Sequence, residues 1–361
     1  MKKFFSFIFF ILFWGAVAYL CYTNLDTVKN IGYRLKGCYH IFLGDIEYKK
    51  QNIGGSIGHY KYALSLYPGH YTAWTNLGNI YAVTREYYLA AESYEQAILN
   101  KSNYIPARMN YGVISTEKLG DYDGAIRQYR AILDVKPKGF KIPFIYNNEE
   151  SSKINYGLAY YNMGVAYKKK SIYSKERWEI KRQYLRSALD AYEHAVKILP
   201  KDYDTRFNLA LTQQLLGDYN NSGVNYCKAI HLQPMNYEAH YNLAVLLKRL
   251  KYNNASLEEL QKATALVMGS NDTSYRQQFI FQIMNDMTRT VLSNDLSSSD
   301  NPSKAELSED EKEKFDNAYY TDFDKCPSLK LFNKNLEDEK SDYANIELEG
   351  KTRKKVRLPL P

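Results

Sequence analysis

A fixed spacing of 34 residues runs through the middle of this chain. Trp74, Leu77, Gly78 and Tyr81 are followed by Ala90, Tyr94 and Ala97. One step of 34 takes Gly78 to Gly112, and one step back takes Tyr94 and Ala97 to Tyr60 and Ala63. Farther on, Tyr192, Ala195 and Pro200 return as Tyr226, Ala229 and Pro234, while Leu209 and Ala210 return as Leu243 and Ala244. Such a period restricts the chain to stacked copies of one supersecondary unit. Each period reads as two amphipathic helices joined by a Gly or Asp turn, as in Leu119-Gly120-Asp121-Tyr122 and Leu216-Gly217-Asp218-Tyr219.

The residue types follow from close helix packing. With position 1 at Tyr71, positions 8 and 20 carry small residues (Gly78, Gly112, Gly164, Ala210, Ala244; Ala90, Ala125, Ala188), which let helices approach. Large residues at positions 7, 11 and 24 fill the space between them. Proline at position 32 (Pro68, Pro137, Pro200, Pro234) ends the second helix. Tyrosine is the compositional outlier, 35 of 361 residues, and many tyrosines fall in these positions and read as core filler. One pair cannot bury its apolar face alone, so neighbours must stack into a continuous core.

The pattern resembles the tetratricopeptide repeat (TPR) family, whose unit reads W-x2-L-G-x2-Y, then A-x3-F, then A, then P. Six units begin near Asn30, Tyr71, Ile105, Gly157, Tyr203 and Tyr237, and the last ends near Ser270. The resemblance implies an all-α fold: a right-handed α-solenoid of about six helix pairs, with a concave inner face and a carboxy-terminal capping helix. The solenoid spans residues 30–292.

Four departures are expected. In the first unit, position 4 is Tyr33 and position 8 is Gly37, with about seven extra residues, including Gly54-Gly55-Ser56-Ile57-Gly58, lengthening the turn. The third unit has one extra residue before Ala125. A linker follows at 140–156, containing Pro143. The fourth unit carries a basic insertion at 168–186, with basic residues at 168, 169, 170, 175, 177, 181, 182 and 186 against Glu176 and Glu179, and Trp178 near its tip. Two elongated helices are expected there, either as a solvated charged face or as a landing surface for an anionic partner.

The two ends differ from the body. Met1-Lys2-Lys3 precedes an uncharged, largely apolar stretch from Phe4 to Tyr22, long enough at about 1.5 Å per residue to cross a bilayer core of about 30 Å. Residues 1–25 read as a single-pass transmembrane anchor. Ala16-Val17-Ala18 also fits a signal-peptide cleavage pattern, but the apolar run continues past it. Lys2 and Lys3 place the amino end inside and the TPR body outside the cytoplasm. Residues 271–292 form an amphipathic stretch suited to capping the last repeat. Residues 293–361 are charged and poor in apolar periodicity, which predicts a largely disordered tail. The chain has a net charge of +8. The tail holds 16 acidic and 12 basic side chains, so the rest carries the positive excess, and segment 295–349 could lie in a basic groove of the solenoid. Cys21, Cys38, Cys227 and Cys326 are too few and too scattered for a disulfide scaffold or a CxxC zinc site.

Catalysis has little to stand on in this sequence. Gly54-Gly55-Ser56-Ile57-Gly58 fits a nucleophile-elbow pattern, but that motif needs a strand-to-helix turn, and Ser56 occupies small-residue position 20. The six histidines (40, 59, 70, 194, 231, 240) show no HExxH and no cysteine at metal spacing. No GxxxxGK[ST] occurs. The chain is expected to be no enzyme and to need no cofactor, and nucleic acid is a poor candidate partner because no base-reading module is present.

The informative constellation is a row of asparagines. Position 6 is Asn76, Asn110, Asn162, Asn208 and Asn242 in five units, and Leu35 in the first. The TPR resemblance implies that position 6 faces or borders the inner groove, where in some members an asparagine array binds the backbone of an extended peptide. A carboxamide offers donor and acceptor, so it can meet a peptide unit whatever its side chain. Tyr161, Lys168, Phe207, Tyr241 and Lys248, at neighbouring groove positions, would supply selectivity for a ligand with acidic and apolar groups. The sequence thus points to a membrane-anchored scaffold that binds an extended protein segment. The alternative is a secreted protein that holds a glycan or other polymer.

Overall fold

The computed structural model describes residues 22–135, 141–142, 146–269, 283, 285–286, 326, 328 and 331–332, with isolated positions at 10, 13–15, 17 and 19. Residues 141–142 and 146–152 are described by their backbone alone. The described residues fall into two compact units that divide at Glu149 and Glu150. Each unit holds three helix pairs.

In the first unit α1 (Leu25–Lys49) pairs with α2 (Ile53–Leu66) and α3 (Tyr71–Val83) with α4 (Tyr87–Asn100). Helix α5 (Ile105–Ile114) runs into a π-helical turn at Ser115–Leu119 and pairs with α6 (Tyr122–Leu133). A minimal antiparallel ladder, β1 (Lys141–Ile142) with β2 (Tyr146–Asn147), precedes α7. In the second unit α7 (Asn148–Tyr173) and α8 (Trp178–Ile198) are followed by α9 (Tyr203–Leu216), α10 (Tyr219–Leu232), α11 (Tyr237–Arg249) and α12 (Asn253–Gly269). Apart from that ladder, each unit is, among the described residues, an all-helical stack of three helix pairs, of the α-solenoid type.

One device recurs in five of these pairs. Tyr60, Tyr94, Tyr129, Tyr192 and Tyr226, at position 24, are the largest fully buried side chains of their pairs. The first four lay their rings against Gly44, Gly78, Gly112 and Gly164 at position 8, and Ala210 stands at that position opposite Tyr226. Position 20 adds a polar tie. Ser56, Ser222 and Ser256 donate from Oγ to the carbonyls of Gly44, Ala210 and Ala244, each at 2.8 Å. Five of the six turns inside the pairs share a left-handed residue: Gln51, Arg85, Gly120, Gly217 and Lys251, with φ from 64° to 92°. Aspartates cap the following helices, Asp121 accepting from Gly124 N at 2.9 Å and Asp218 from Asn221 N at 3.4 Å.

Several expectations change. In the first pair Gly44, not Gly37, stands over Tyr60, so the repeat begins at Gly37 and position 6 is Phe42 in place of Leu35. No lengthened turn exists. Lys50–Asn52 join the helices, and Gly54 to Gly58 are the first turns of α2. What looked like an insertion is α1 starting twelve residues early, at Leu25. The extra residue of the third unit is absorbed by the π-helical turn, the ordinary way for a helix to take one added residue. The carboxyl half of the expected linker, from Asn148, is already helix. The basic insertion is, as expected, an elongation of two helices. Ser171 Oγ donates to the Lys181 carbonyl at 2.9 Å, the Lys170 ammonium lies 4.5 Å from the Tyr184 ring centre, and Trp178 opens α8.

The expected anchor at 4–22 lies for the most part outside the described residues. Among those described, no helix is long and apolar enough to cross a membrane. Of the expected capping stretch, Ile283 is buried against Tyr241, Ala244, Leu260, Ala263 and Val267, and the rest lies largely outside the described residues. Most of the tail does too. Its described residues, however, are packed: Cys326 and Phe332 join the core around α10, and Cys326 is disulfide-bonded to Cys227. A cysteine pair 99 residues apart carries no motif, which is why the spacing concealed it.

Candidate functional site

The asparagine row is present on the first helices of the pairs, and all five members are half-buried. Each described bond ties a carboxamide to its own or a neighbouring repeat. Asn76 Nδ2 donates to the Tyr60 hydroxyl at 3.2 Å, and that hydroxyl donates to Asp45. Asn110 Nδ2 donates to Asn79 Oδ1 at 2.8 Å, the same oxygen that accepts the Tyr94 hydroxyl at 2.9 Å. Asn208 Nδ2 donates to the Asp204 carbonyl at 2.8 Å and to the Tyr161 hydroxyl at 3.4 Å. Asn242 Nδ2 donates to the Glu238 carbonyl at 2.8 Å. Asn162 sits half-buried on α7.

The consequence is an asymmetry within each amide. The N–H side is used to fix the side chain. The carbonyl oxygens of Asn76, Asn110 and Asn242 accept no hydrogen bond among the described residues. Asn208 differs, because its Oδ1 accepts from Lys168 Nζ at 2.5 Å. A carboxamide pinned through its nitrogen and open at its oxygen is a preorganised acceptor.

The other predicted contact residues divide. Tyr161 and Lys168 both meet Asn208 and join the row. Phe207 stacks on Tyr203 with ring centres 5.8 Å apart and meets Tyr226 edge-on at 5.9 Å, so much of it serves the core. The Tyr241 hydroxyl donates to Asp286 Oδ2 at 2.9 Å, and Lys248 Nζ reaches the Asp286 carbonyl at 3.4 Å. Both are engaged by the stretch that follows the last repeat.

Sequence reasoning passed over two groups at this surface. Asp45 and Asn79 complete the tyrosine–asparagine links, and their signal was available: Asn79 stands three residues after Asn76, one helical turn along. Asp204 and Glu238 stand at position 2 of successive repeats. Burial raises both carboxyls above their ordinary range, and a neighbouring carboxylate adds to it, Asp202 for Asp204 and Asp204 for Glu238. A pair of carboxylates held this way favours a cationic group between them, which broadens the aromatic and basic character read from the sequence.

Ser56 is fully buried and its hydroxyl is spent on Gly44, which suits a packing role rather than nucleophilic attack. His40 and His59 face each other with Nδ1 atoms 3.0 Å apart, and partial burial, then His59 and Lys36, hold His40 below its usual value. Among the described residues no group of three or more His, Cys, Asp or Glu is placed to hold a metal ion.

Comparison with known proteins agrees with this architecture. The sequence profile of the tetratricopeptide repeat matches residues 43–105. Superkiller protein 3 of Schizosaccharomyces pombe is 30% identical over 129 residues, a match that takes in 35% of this chain and only 9% of that protein's length. The solved structure of PilW, described as a type IV pilus biogenesis factor, superposes with a TM-score of 0.51 at 15% identity, covering 68% of this chain and 98% of PilW. The solved structure of Pseudomonas aeruginosa pilF gives 0.49 at 16% identity over 70% of this chain and 99% of its own. These likenesses concern the fold.

Proposed function

We propose that the protein is a non-enzymatic scaffold that holds an extended segment of another protein along its asparagine row. The observation that carries this reading is the row's asymmetry. Nitrogen atoms of Asn76, Asn110 and Asn242 are fixed within the solenoid while their oxygens stay unpaired at half-exposed positions. An extended segment leaves its backbone N–H groups free, and acceptors on successive repeats, as at Asn76 and Asn110, suit such a ligand regardless of its side chains. Tyr161, Lys168, Asp204 and Glu238 would then select the side chains.

The scaffold would be anchored by residues 4–22, with its body on the extracytoplasmic side. The Cys227–Cys326 bond supports that placement, because structural disulfides persist in oxidising compartments and are rare in the cytosol.

Replacing Asn76, Asn110 and Asn242 together by Ala tests the reading. At about 1 kcal/mol per lost hydrogen bond, capture of a co-purifying protein should weaken by on the order of a hundredfold, with helical circular dichroism unchanged. Unchanged capture, or loss of helix, would mean that the row is structural alone.

A further inference from the structure

The first helix carries a surface that the solenoid does not use. Helix α1 has 25 residues, whereas α3 has 13 and α9 has 14. The repeat begins at Gly37, so Leu25 to Lys36 extend beyond the pair, and every residue from Tyr22 to Lys36 is exposed. From Gly37 onward one side of α1 packs on α2: Gly37 meets Ala63 and Tyr67, His40 meets His59, and Gly44 meets Tyr60. Arg34 and Lys36 lean the same way, over the rings of Tyr67 and Tyr62.

The opposite side reads Leu25, Val28, Gly32, Leu35, Tyr39 and Phe42. The spacing is 3, 4, 3, 4, 3, the a and d positions of a heptad repeat. Its large members are 41% to 67% exposed. A projecting helix of this length is marginal alone in water, and an apolar seam at 3.5-residue spacing fits a second helix and little else.

We propose that this seam pairs with the same seam of a second copy, forming a parallel two-stranded coiled coil. Charge selects the direction. Lys29 and Lys36 hold the e positions, and Ile31 and Cys38 the g positions. In a parallel pair each e side chain faces the g side of its partner, so no e lysine meets another lysine. An antiparallel pair would bring the lysines of the two copies together. The area is sufficient: five exposed apolar side chains on each copy would bury about 1,000 Å² in total, the lower bound for a stable interface. A parallel pair also suits two chains leaving one membrane side by side, and it would set two asparagine rows in one assembly.

Sedimentation equilibrium of the full chain in mild detergent tests this. The wild type should have a protein mass of twice 42.0 kDa. Leu35→Glu with Phe42→Glu should bring it to the monomer with helical circular dichroism unchanged. As a second measurement, Leu35→Cys in a Cys21→Ser, Cys38→Ser background should form a disulfide-linked dimer under mild oxidation. Asn30→Cys, exposed but off the seam, should link at least tenfold less. A monomeric wild type overturns the proposal, whether lipid or another segment of the chain proves to cover the seam. So does a double variant that stays dimeric, or equal linking at positions 30 and 35.

Discussion

A methyl group added at Gly78 would lie 2.7 Å from Tyr94 Cε1, and one at Gly112 would lie 2.6 Å from Tyr129 Cε1. The tyrosine needs that bare backbone, and burial in return pushes the Tyr94 hydroxyl up to about 12. Alanine is the better helix former by about 1 kcal/mol, yet overpacking costs about 1–3 kcal/mol, so Gly78→Ala should destabilise. The left-handed turn residue gives the opposite sign. Arg85 sits at φ 66° where the third and fifth pairs have Gly120 and Gly217, so Arg85→Gly should stabilise by about 1 kcal/mol. Urea unfolding of the two variants reads both; a stabilised Gly78→Ala would refute the ring-on-glycine packing. The glycine and tyrosine positions were legible because close approach admits few residue types. The strain at Gln51, Arg85 and Lys251 was not, because those residues name no conformation.

Between elements, the 34-residue step located each pair, and errors arose where a decoy stood nearby. Gly37 imitates the position-8 glycine that Gly44 supplies, seven residues on, which is two helical turns and hence the same face. The π-helical turn is invisible as a motif but legible as a count, one residue too many before Ala125. A tie between α11 and α12 was missed altogether. His240 Nδ1 lies 2.6 Å from Glu259 Oε2, His240 Nε2 lies 3.1 Å from the Pro234 carbonyl, and Lys262 Nζ lies 2.7 Å from Glu259 Oε1. Burial alone would raise the Glu259 carboxyl, but His240 and Lys262 outweigh it and hold the group below its ordinary 4.5. Its contribution to stability is therefore complete above pH 4.5 and is lost as pH falls through the lower folded value. Glu259→Ala leaves the buried Nδ1 of His240 without its partner and should cost about 3 kcal/mol at neutral pH, with a smaller difference from wild type in acid. Urea titrations at several pH values check this, and a cost that does not shrink in acid would contradict the pairing.

Across the molecule, the chain's ends were the least legible part. Composition marks 293–361 as charged and poor in core, yet Cys326 and Phe332 are buried on α10, Phe332 within contact of Gly223. A short apolar anchor and one cysteine do not stand out in such a segment. The bond closes a 99-residue separation, for which loop-closure entropy gives about 4.7 kcal/mol. Reduction, or Cys326→Ser, should lower the stability of the second unit by several kcal/mol and leave the first unit's unfolding unchanged. Equal urea midpoints with and without thiol would show that the staple contributes nothing. The row itself was legible as five asparagines at one position, while the use of their nitrogens within the solenoid was not, since it depends on Tyr60, Asn79 and Tyr161 reaching across repeats.

The account stands on extended protein being held along that row. Photo-crosslinking in intact cells tests it most directly, with a photoreactive phenylalanine analogue placed at Phe207, beside Asn208, and separately at Glu193, an exposed residue of α8. The prediction is a defined protein adduct from position 207, mapped by mass spectrometry to one extended segment, and little from position 193. Equal labelling from both positions, or no protein adduct at 207, would contradict it.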